Sequence, residues 1–300
     1  MPTLLPGETA DRALGAYLGL ALGDALGATV EFLTPREIRQ RHGVHREIVG
    51  GGWLNLPRGA VTDDTTLSLA LGQAILEAHG WSLRGVADSF AAWLLAGPVD
   101  CGNTCRRGIR RYLASGALQG EPSDGDAGNG ALMRNLPVVL ATLLDEDAFR
   151  RWSIEQAHIT HHNALSDAAV LALGSMTRSL ILQEGVDRCE AHALDLVRAL
   201  PVFRYRPYPG RASGYVVDTV QTVLHHVLAH EDFEECVVAT ANRGDDADTT
   251  AALAGMLAGA RCGARALPAR WLAALERELV GRITMQTAEL LAIAEELGKR

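Results

Sequence analysis

Two acidic stretches, far apart in the chain, each stand directly before an apolar run. Asp63 and Asp64 lie side by side between Thr62 and Thr65, and the apolar run LSLALGQAIL follows. The stretch GDDADTTAALAG at 244–255 repeats this arrangement. Carboxylate and threonine hydroxyl oxygens are hard ligands, which suit Mg²⁺ or Mn²⁺ better than zinc. The two stretches therefore predict a divalent metal site, provided that they meet in the fold.

Helix capping is the competing interpretation of each stretch. Threonine or aspartate at a helix start satisfies free backbone amides, and carboxylates suit the positive end of the helix dipole. One acid per helix would serve that purpose. Carboxylates ~4 Å apart repel by roughly 4 kcal/mol at an effective dielectric of 20, so they cluster only if they splay into water or if a cation neutralises them. Capping alone explains one stretch better than two near-copies.

Helical periodicity dominates the rest of the chain and predicts an all-α fold. Alternating β-branched runs are nearly absent, and residues 44–51 (VHREIVGG) form the best, weak strand candidate. No linker or low-complexity tract divides the chain, so we expect one multi-helix domain over residues 1–300. Apolar residues recur at three- and four-residue steps in 64–79, 83–96, 131–144, 165–183, 217–229, 248–260 and 285–298.

The opening helix carries glycines at a strict four-residue spacing, at positions 15, 19, 23 and 27. This small-xxx-small pattern is typical of closely packed helices in membranes. Asp24 interrupts the apolar run, which also falls short of the ~20 residues that a membrane span needs. We therefore expect a buried helix in a soluble core, with the glycines admitting a neighbouring backbone.

Three long loops, 42–62, 115–130 and 200–215, contain tryptophan, tyrosine, arginine and paired acids. Loops of such length in a compact domain are usually functional or disordered, and this composition favours function. Across the 300 residues, 28 Lys and Arg face 36 Asp and Glu, which argues against general binding to nucleic acid or anionic membrane. Residues 1–12 lack the pattern of a signal peptide, so we expect a cytoplasmic protein, with nothing demanding more than a monomer.

Four segments together resemble the ADP-ribosylglycohydrolases. They are TDDT (62–65), DGDAGNGALMR (124–134), NRGDDADTTAALAG (242–255) and the opening helix GAYLGLALGDALGATVEF (15–32), and they follow the family's order along nearly the whole chain. The resemblance implies an all-α fold with a dinuclear Mn²⁺ or Mg²⁺ centre in a cleft. It also implies hydrolysis of the N-glycosidic bond between ADP-ribose and a protein arginine.

The resemblance also assigns the metal ligands and the catalytic acids. Glu31 matches the family glutamate beside the metals. Asp100 looks like the family's acid near the reacting ribose, so we expect it to accept a proton, with Glu31 as the competing candidate. Capping of the helix through Cys105 to Tyr112 is the alternative role of Asp100. The implied metal ligands are Thr62, Asp63, Asp64, Asp246, Asp248 and Thr249.

Substrate contacts are implied mainly in the glycine-rich loop, whose backbone amides are suited to a phosphate or ribose. Within this expectation, His161 faces the ribose or pyrophosphate and Tyr215 stacks on adenine. The full set of expected substrate-binding residues is Asn103, Thr104, Glu121, Ser123, Gly125, Asp126, Gly128, Asn129, Gly130, His161 and Tyr215.

The segments 103–113 and 118–137 are particularly similar to the bacterial branch of the family that restores nitrogenase. That likeness implies the nitrogenase iron protein as the target. It also implies a PII-type signal protein as a partner, which would recruit the enzyme to the ammonium transporter at the inner membrane. Hydrolysis of another ADP-ribose linkage, serine-linked or O-acetyl, is an alternative, and so is a non-catalytic binding protein on the same fold.

Overall fold

Helices form nearly all of the regular structure in residues 5–299, the part of the chain that the computed structural model describes. Residues 1–4, part of the segment 1–12 that lacks the pattern of a signal peptide, lie outside this range. The helices are α1 (Gly7–Gly27), α2 (Pro35–His42), α3 (Asp63–Glu77), α4 (Leu83–Leu95), α5 (Asn103–Ser115), α6 (Leu136–Ala141), α7 (Glu146–His158), α8 (Ala164–Ile181), α9 (Val186–Ala199), α10 (Val216–Ala229), α11 (Phe233–Ala241), α12 (Ala247–Cys262), α13 (Ala269–Leu272) and α14 (Arg277–Leu297). The all-α prediction is confirmed.

No strand forms at 44–51, the weak strand candidate in the sequence. β-Pairing within the described residues is limited to two isolated bridges, Gly51 with Leu56 and Gly128 with Tyr215. The physical reason lies in Gly50, Gly51 and Gly52, whose φ angles of 75°, 85° and 67° are left-handed. Consecutive residues in this region cannot continue an extended strand, and they turn the chain back on itself.

The glycines of α1 pack against α12 with almost no separation between the two backbones. A Cβ added at Gly23 would lie 2.0 Å from the carbonyl oxygen of Ala251, and one at Gly19 would lie 2.2 Å from that of Gly255. The approach is reciprocal, because a Cβ on Gly255 would lie 2.1 Å from the Gly19 oxygen. The expectation of a buried, glycine-lined helix is confirmed. Among residues 5–299, no helix combines the length and the hydropathy that crossing a membrane requires.

This helix pair forms the centre of the core. Helix α12 is buried along 247–260, and helices α8, α10 and α11 pack around it, while α3 and α14 pack on α1. The close pairing fixes the relative position of two chain segments that matter below. One is the C-terminal turn of α1, which carries Asp24, and the other is the N-terminus of α12, which carries Asp248.

Periodicity located the long apolar helices but placed some ends wrongly. The run 131–144 is helical only over Leu136–Ala141, because the Asn129 carbonyl accepts from Leu132 and Met133 and thereby holds the preceding residues in a turn. The periodicity did not mark several shorter helices, which begin at side-chain caps instead. Their caps were visible as sequence signals at Thr34, Asp145 and Asp232.

Candidate metal centre and active-site cleft

A cleft of about 610 Å³ opens where the N-termini of α3, α5 and α12 converge beside the end of α1. Each of the three long loops contributes to its wall, through Trp53, residues 128–130 and Gly214. The expectation that these loops line a site, rather than merely connect helices, agrees with this placement. The acidic side chains that line the cleft are Glu31, Asp63, Asp100, Asp246 and Asp248.

The two acidic stretches meet at the base of the cleft. The Thr249 hydroxyl donates to the Asp64 carboxylate over 3.1 Å, and the Thr62 hydroxyl lies 3.4 Å from Oδ2 of Asp248. Residues 186 positions apart are thus joined by direct side-chain contact. The predicted meeting of the two stretches is confirmed, whereas their role as metal ligands stays a prediction.

The acids at this base crowd one another, and four of them, Glu31, Asp63, Asp64 and Asp248, are buried. Carboxylate oxygens of Glu31, Asp100 and Asp248 all lie within 4.8 Å of one another. Burial, reinforced by the neighbouring acids, raises the pKa of Glu31 to about 8 and that of Asp63 to about 7. The same causes raise the pKa of Asp64 well above its ordinary value. The folded chain therefore holds several carboxylates in a place where ionisation is costly without a counter-charge.

A divalent cation fits this donor set. Oδ1 of Asp64 is buried and has no hydrogen-bond partner among the described residues. A buried acceptor without a partner costs free energy, and a cation would relieve that cost. The surrounding donors are carboxylate and hydroxyl oxygens, which match Mg²⁺ or Mn²⁺ rather than a sulfur- or imidazole-preferring metal.

Asp24 supports the first acidic stretch from beneath and was missed as a site residue. Its fully buried carboxylate accepts from the backbone amide and hydroxyl of Thr62, each at 2.9 Å, and from those of Thr65, at 3.1 and 2.6 Å. Burial raises the pKa of Asp24 to about 6 despite these four donors. The sequence signal was present, since an aspartate inside the glycine-spaced apolar helix needs a buried partner.

Asn129 and a strained backbone pair position the second acidic stretch. The Asn129 amide donates to the Asp246 carboxylate and to Thr219. Asp245 and Phe32 both have left-handed φ angles, of 56° and 61°, and the Phe32 amide donates to the Asp245 carbonyl over 2.6 Å. Non-glycine residues in this region store strain, and such residues gather at functional sites. The pair ties the end of the opening helix to the start of α12.

The two catalytic candidates both line the cleft. Asp100 accepts from the neighbouring Cys101 amide over 2.7 Å, and Glu31 accepts from the Trp53 indole over 2.5 Å. Helix α5 begins at Asn103 with Gly102 as its N-cap, so Asp100 does not cap it and that alternative was wrong. The carboxylate of Asp100 is left directed to the acidic cluster instead.

The expected substrate residues divide into two groups. His161 lies in the first, fully buried past the end of α7, and its Nδ1 pairs with the Thr160 hydroxyl at 2.7 Å. Burial, together with the nearby Arg134 and Arg107, lowers the pKa of His161 well below its ordinary value, so the ring is neutral. The residues of this group that line the cleft are Asn103, Thr104, Gly128, Asn129, Gly130 and His161.

The second group does not line the cleft. Its members are Glu121, Ser123, Gly125, Asp126 and Tyr215. Ser123 is held away because its amide donates to the His162 carbonyl, and Asp126 is taken up by an ion pair with Arg107. Tyr215 pairs through its backbone with Gly128, while its side chain is 41% exposed. Contact of these five residues with a substrate stays a prediction.

Comparisons with known proteins agree along the whole chain. Residues 5–300 match the family described as ADP-ribosylglycohydrolase. The chain is 51% identical to ADP-ribosyl-[dinitrogen reductase] glycohydrolase of Rhodospirillum rubrum, covering 95% of this chain and 97% of that protein. This chain belongs to the ADP-ribosylglycohydrolase family. As a family member it is a hydrolase of an ADP-ribosyl linkage.

More distant members of the ADP-ribosylglycohydrolase family support the same conclusion. The ADP-ribosylarginine hydrolase Tri1 of Pseudomonas putida (strain GB-1) is 34% identical, covering 90% of this chain and 76% of the relative. A solved structure described as an ADP-ribosylglycohydrolase-related protein complex superposes with a TM-score of 0.85 at 32% identity, covering 96% of this chain and all of that one. Fold and sequence therefore point to one family.

Sequence reasoning did not single out several residues that line the cleft of this glycohydrolase. The signal for Trp53 was its place in a long, glycine-containing loop, and that for Arg106 was an arginine in the first turn of α5. Phe32 carried no such signal, because only the folded chain shows its exposed side chain at the mouth of the cleft. The residues missed are Phe32, Trp53, Cys101, Gly102, Cys105, Arg106, Met133 and Gly214.

Proposed function

We propose that this protein removes ADP-ribose from an arginine side chain of a target protein, using two Mn²⁺ or Mg²⁺ ions. The observation that supports this proposal most strongly is the buried meeting of the two acidic stretches, joined between Asp64 and Thr249. Buried carboxylates that crowd one another need either protonation or a counter-charge, and a divalent cation supplies the counter-charge. The ions would be held by Thr62, Asp63, Asp64, Asp246, Asp248 and Thr249.

Bound ions would orient the ribose hydroxyls and lower the pKa of an attacking water. In the hydrolysis, the oxygen of a water bonds to the anomeric carbon, the carbon–nitrogen bond breaks, and the leaving arginine nitrogen takes up a proton from a carboxylate at the cleft. The proton lost by the water passes to a carboxylate at the cleft. Glu31 and Asp100 are the candidates for this step, and their oxygens lie close to Asp248.

We expect the remaining cleft residues to bind the substrate and to exclude water from it. The first turn of α5, with Asn103, Thr104 and Arg106, presents amide N–H groups and a guanidinium that favour an anionic diphosphate. A Cβ at Gly130 would lie 2.9 Å from the His161 ring, so only glycine lets the loop backbone approach there. Neutral His161 can then accept or donate one hydrogen bond to the sugar.

For the target we propose the nitrogenase iron protein, on the basis of similarity to the Rhodospirillum rubrum glycohydrolase, whose name specifies dinitrogen reductase. A cytoplasmic location and recruitment through a PII-type signal protein to the ammonium transporter stay predictions of the same kind. No residue is assigned to that recruitment.

The linkage is tested with matched peptides that carry ADP-ribose on arginine or on serine, together with O-acetyl-ADP-ribose. We expect release from the arginine peptide alone, measured as free ADP-ribose. Release only from the serine peptide or the O-acetyl compound would contradict the arginine assignment. Isothermal titration with Mn²⁺ separates an enzyme from a binding protein on the same fold, because a binding protein has no need of the ions.

The metal cage is tested by Asp246→Ala. Asp246 lines the cleft, and its carboxylate is held by Asn129. The variant should lose turnover and Mn²⁺ binding while keeping its far-UV circular dichroism, because helix packing does not depend on this carboxylate. Turnover at the wild-type rate would refute the cage.

A further inference from the structure

Two aromatic side chains, Phe32 and Trp53, stand exposed at the mouth of the cleft. Phe32 is 61% and Trp53 is 51% exposed, and their ring centroids lie 5.3 Å apart with the planes tilted by 50°. Both line the cleft, and both also line a neighbouring cavity of about 420 Å³. The aromatic pair, as we call Phe32 and Trp53, is therefore shared by the walls of the two cavities.

Unusual backbone conformations precede or include both residues of the aromatic pair, and the one at Phe32 is strained. Phe32 has a left-handed φ of 61°, and its backbone N–H donates a hydrogen bond to the Asp245 carbonyl oxygen. Trp53 follows three glycines with left-handed φ, and a Cβ at Gly52 would lie 2.3 Å from the Ala28 carbonyl oxygen. Strained backbone that presents apolar rings to solvent adds nothing to core packing, which points to a ligand for the rings.

The polar surroundings of the aromatic pair indicate the charge of that ligand. The Trp53 indole N–H is already bonded to the Glu31 carboxylate, so the rest of the indole offers only its π-surface. Glu31 and the nearby Asp100 place carboxyl oxygens on this side of the cleft, and such oxygens accept hydrogen bonds from a guanidinium. By contrast, the first turn of α5 with Arg106 is positive. A cation with a flat, apolar-tolerant surface suits the aromatic side, and an anion suits the α5 side.

An ADP-ribosylated arginine has this polarity on the two sides of the scissile bond. Its diphosphate is anionic and its guanidinium is a planar cation, which stacks well on aromatic rings. We propose that Phe32 and Trp53 bind the guanidinium of the target arginine and thereby select arginine-linked over serine-linked substrates. This inference rests on the proposed function and deepens it, because it assigns the residues that recognise the leaving group.

The test compares Trp53→Phe with Trp53→Leu. Both variants lose the hydrogen bond from the Trp53 indole to Glu31. Phe and Leu are both apolar and are similar to each other in size, so the two variants differ mainly in the aromatic ring. Trp53 is half-exposed, and both variants should fold, which circular dichroism checks. With an ADP-ribosylarginine peptide, we expect kcat/KM of the Leu variant to fall about fivefold below that of the Phe variant, which corresponds to about 1 kcal/mol. Inhibition by free ADP-ribose, which has no guanidinium, should be equal in the two.

The outcomes separate this inference from the proposed function. Wild-type release from arginine tests the function, whereas the ratio between the two variants tests the aromatic pair. Equal kcat/KM in both variants overturns the inference. A loss of ADP-ribose inhibition in the Leu variant that matches its loss of kcat/KM also overturns it, because the pair would then stack on adenine. Met285→Ala, a change at another exposed apolar side chain that lies on α14, is the control and should behave as wild type.

Discussion

Asp24→Asn would test whether a residue outside the cleft controls the metal centre. The Asp24 carboxylate accepts four hydrogen bonds from Thr62 and Thr65, at the start of α3. An asparagine oxygen can keep the two donors of Thr62, but its NH₂ group then faces the Thr65 amide, which cannot accept. One buried backbone donor is left unsatisfied, at a cost of about 1–3 kcal/mol.

A second effect opposes this cost in the metal-free protein. The charge of Asp24 contributes to the raised pKa of Asp64, so a neutral amide relieves repulsion between two buried carboxylates. The net change in unfolding free energy should therefore be small. Metal affinity has no such compensation, because the variant loses both a negative charge and the anchor of Thr62. Loss of a residue that orients metal ligands typically costs 10–100-fold in affinity, or about 1.4–2.7 kcal/mol.

Isothermal titration with Mn²⁺ measures this directly, with turnover of an arginine-linked peptide as the second readout. Asp88→Asn is the matched control, because it makes the same chemical change at an exposed carboxylate that accepts from Tyr112 away from the cleft. We expect weaker Mn²⁺ binding by Asp24→Asn only. Wild-type affinity in that variant would refute the argument that Asp24 organises the first acidic stretch.

Three further predictions concern the core and the buried titratable groups. Gly23→Ala places a Cβ 2.0 Å from the Ala251 carbonyl oxygen and should cost about 3 kcal/mol in urea unfolding, whereas Gly281→Ala meets nothing within 4 Å and should stabilise α14 by about 0.5–1 kcal/mol. Burial lowers the pKa of His226 to about 3, so the stability from its neutral ring is complete above the unfolded value of ~6.5 and is lost as the pH falls below it. His226→Leu should flatten that acid-side loss in thermal melts, and an unchanged pH dependence would contradict the assignment. Mn²⁺ should raise the melting temperature of the wild type but not that of Asp64→Asn. Without metal, Asp64→Asn should be more stable than the metal-free wild type, because it removes a buried carboxylate next to other acids. An equal Mn²⁺ shift in both proteins would argue against Asp64 as a ligand.

Local sequence patterns predicted those parts of the fold that depend on neighbouring residues. The spacing of apolar residues predicted the long helices. The glycines of α1 predicted a close contact with another helix, which is α12. Periodicity did not predict the short polar helices, because capping and tertiary packing, rather than an apolar stripe, decide where they form. Helix α2 is an example, since Thr34 and Glu37 form a capping box at its start.

For the cleft, the sequence by itself determined which side-chain oxygen donors are present. Two stretches of aspartate and threonine before apolar helices fix hard oxygen donors at helix starts, whatever their partners are. Which donors meet was decided only by tertiary structure, because the α1–α12 pairing brings Asp24, Asp64 and Asp248 together across the chain. The same holds for Trp53 beside Glu31, whose contact depends on a glycine turn folding over the end of α1. Residue type and local spacing can be read directly from the sequence, whereas long-range contacts depend on how the helix backbones pack against one another.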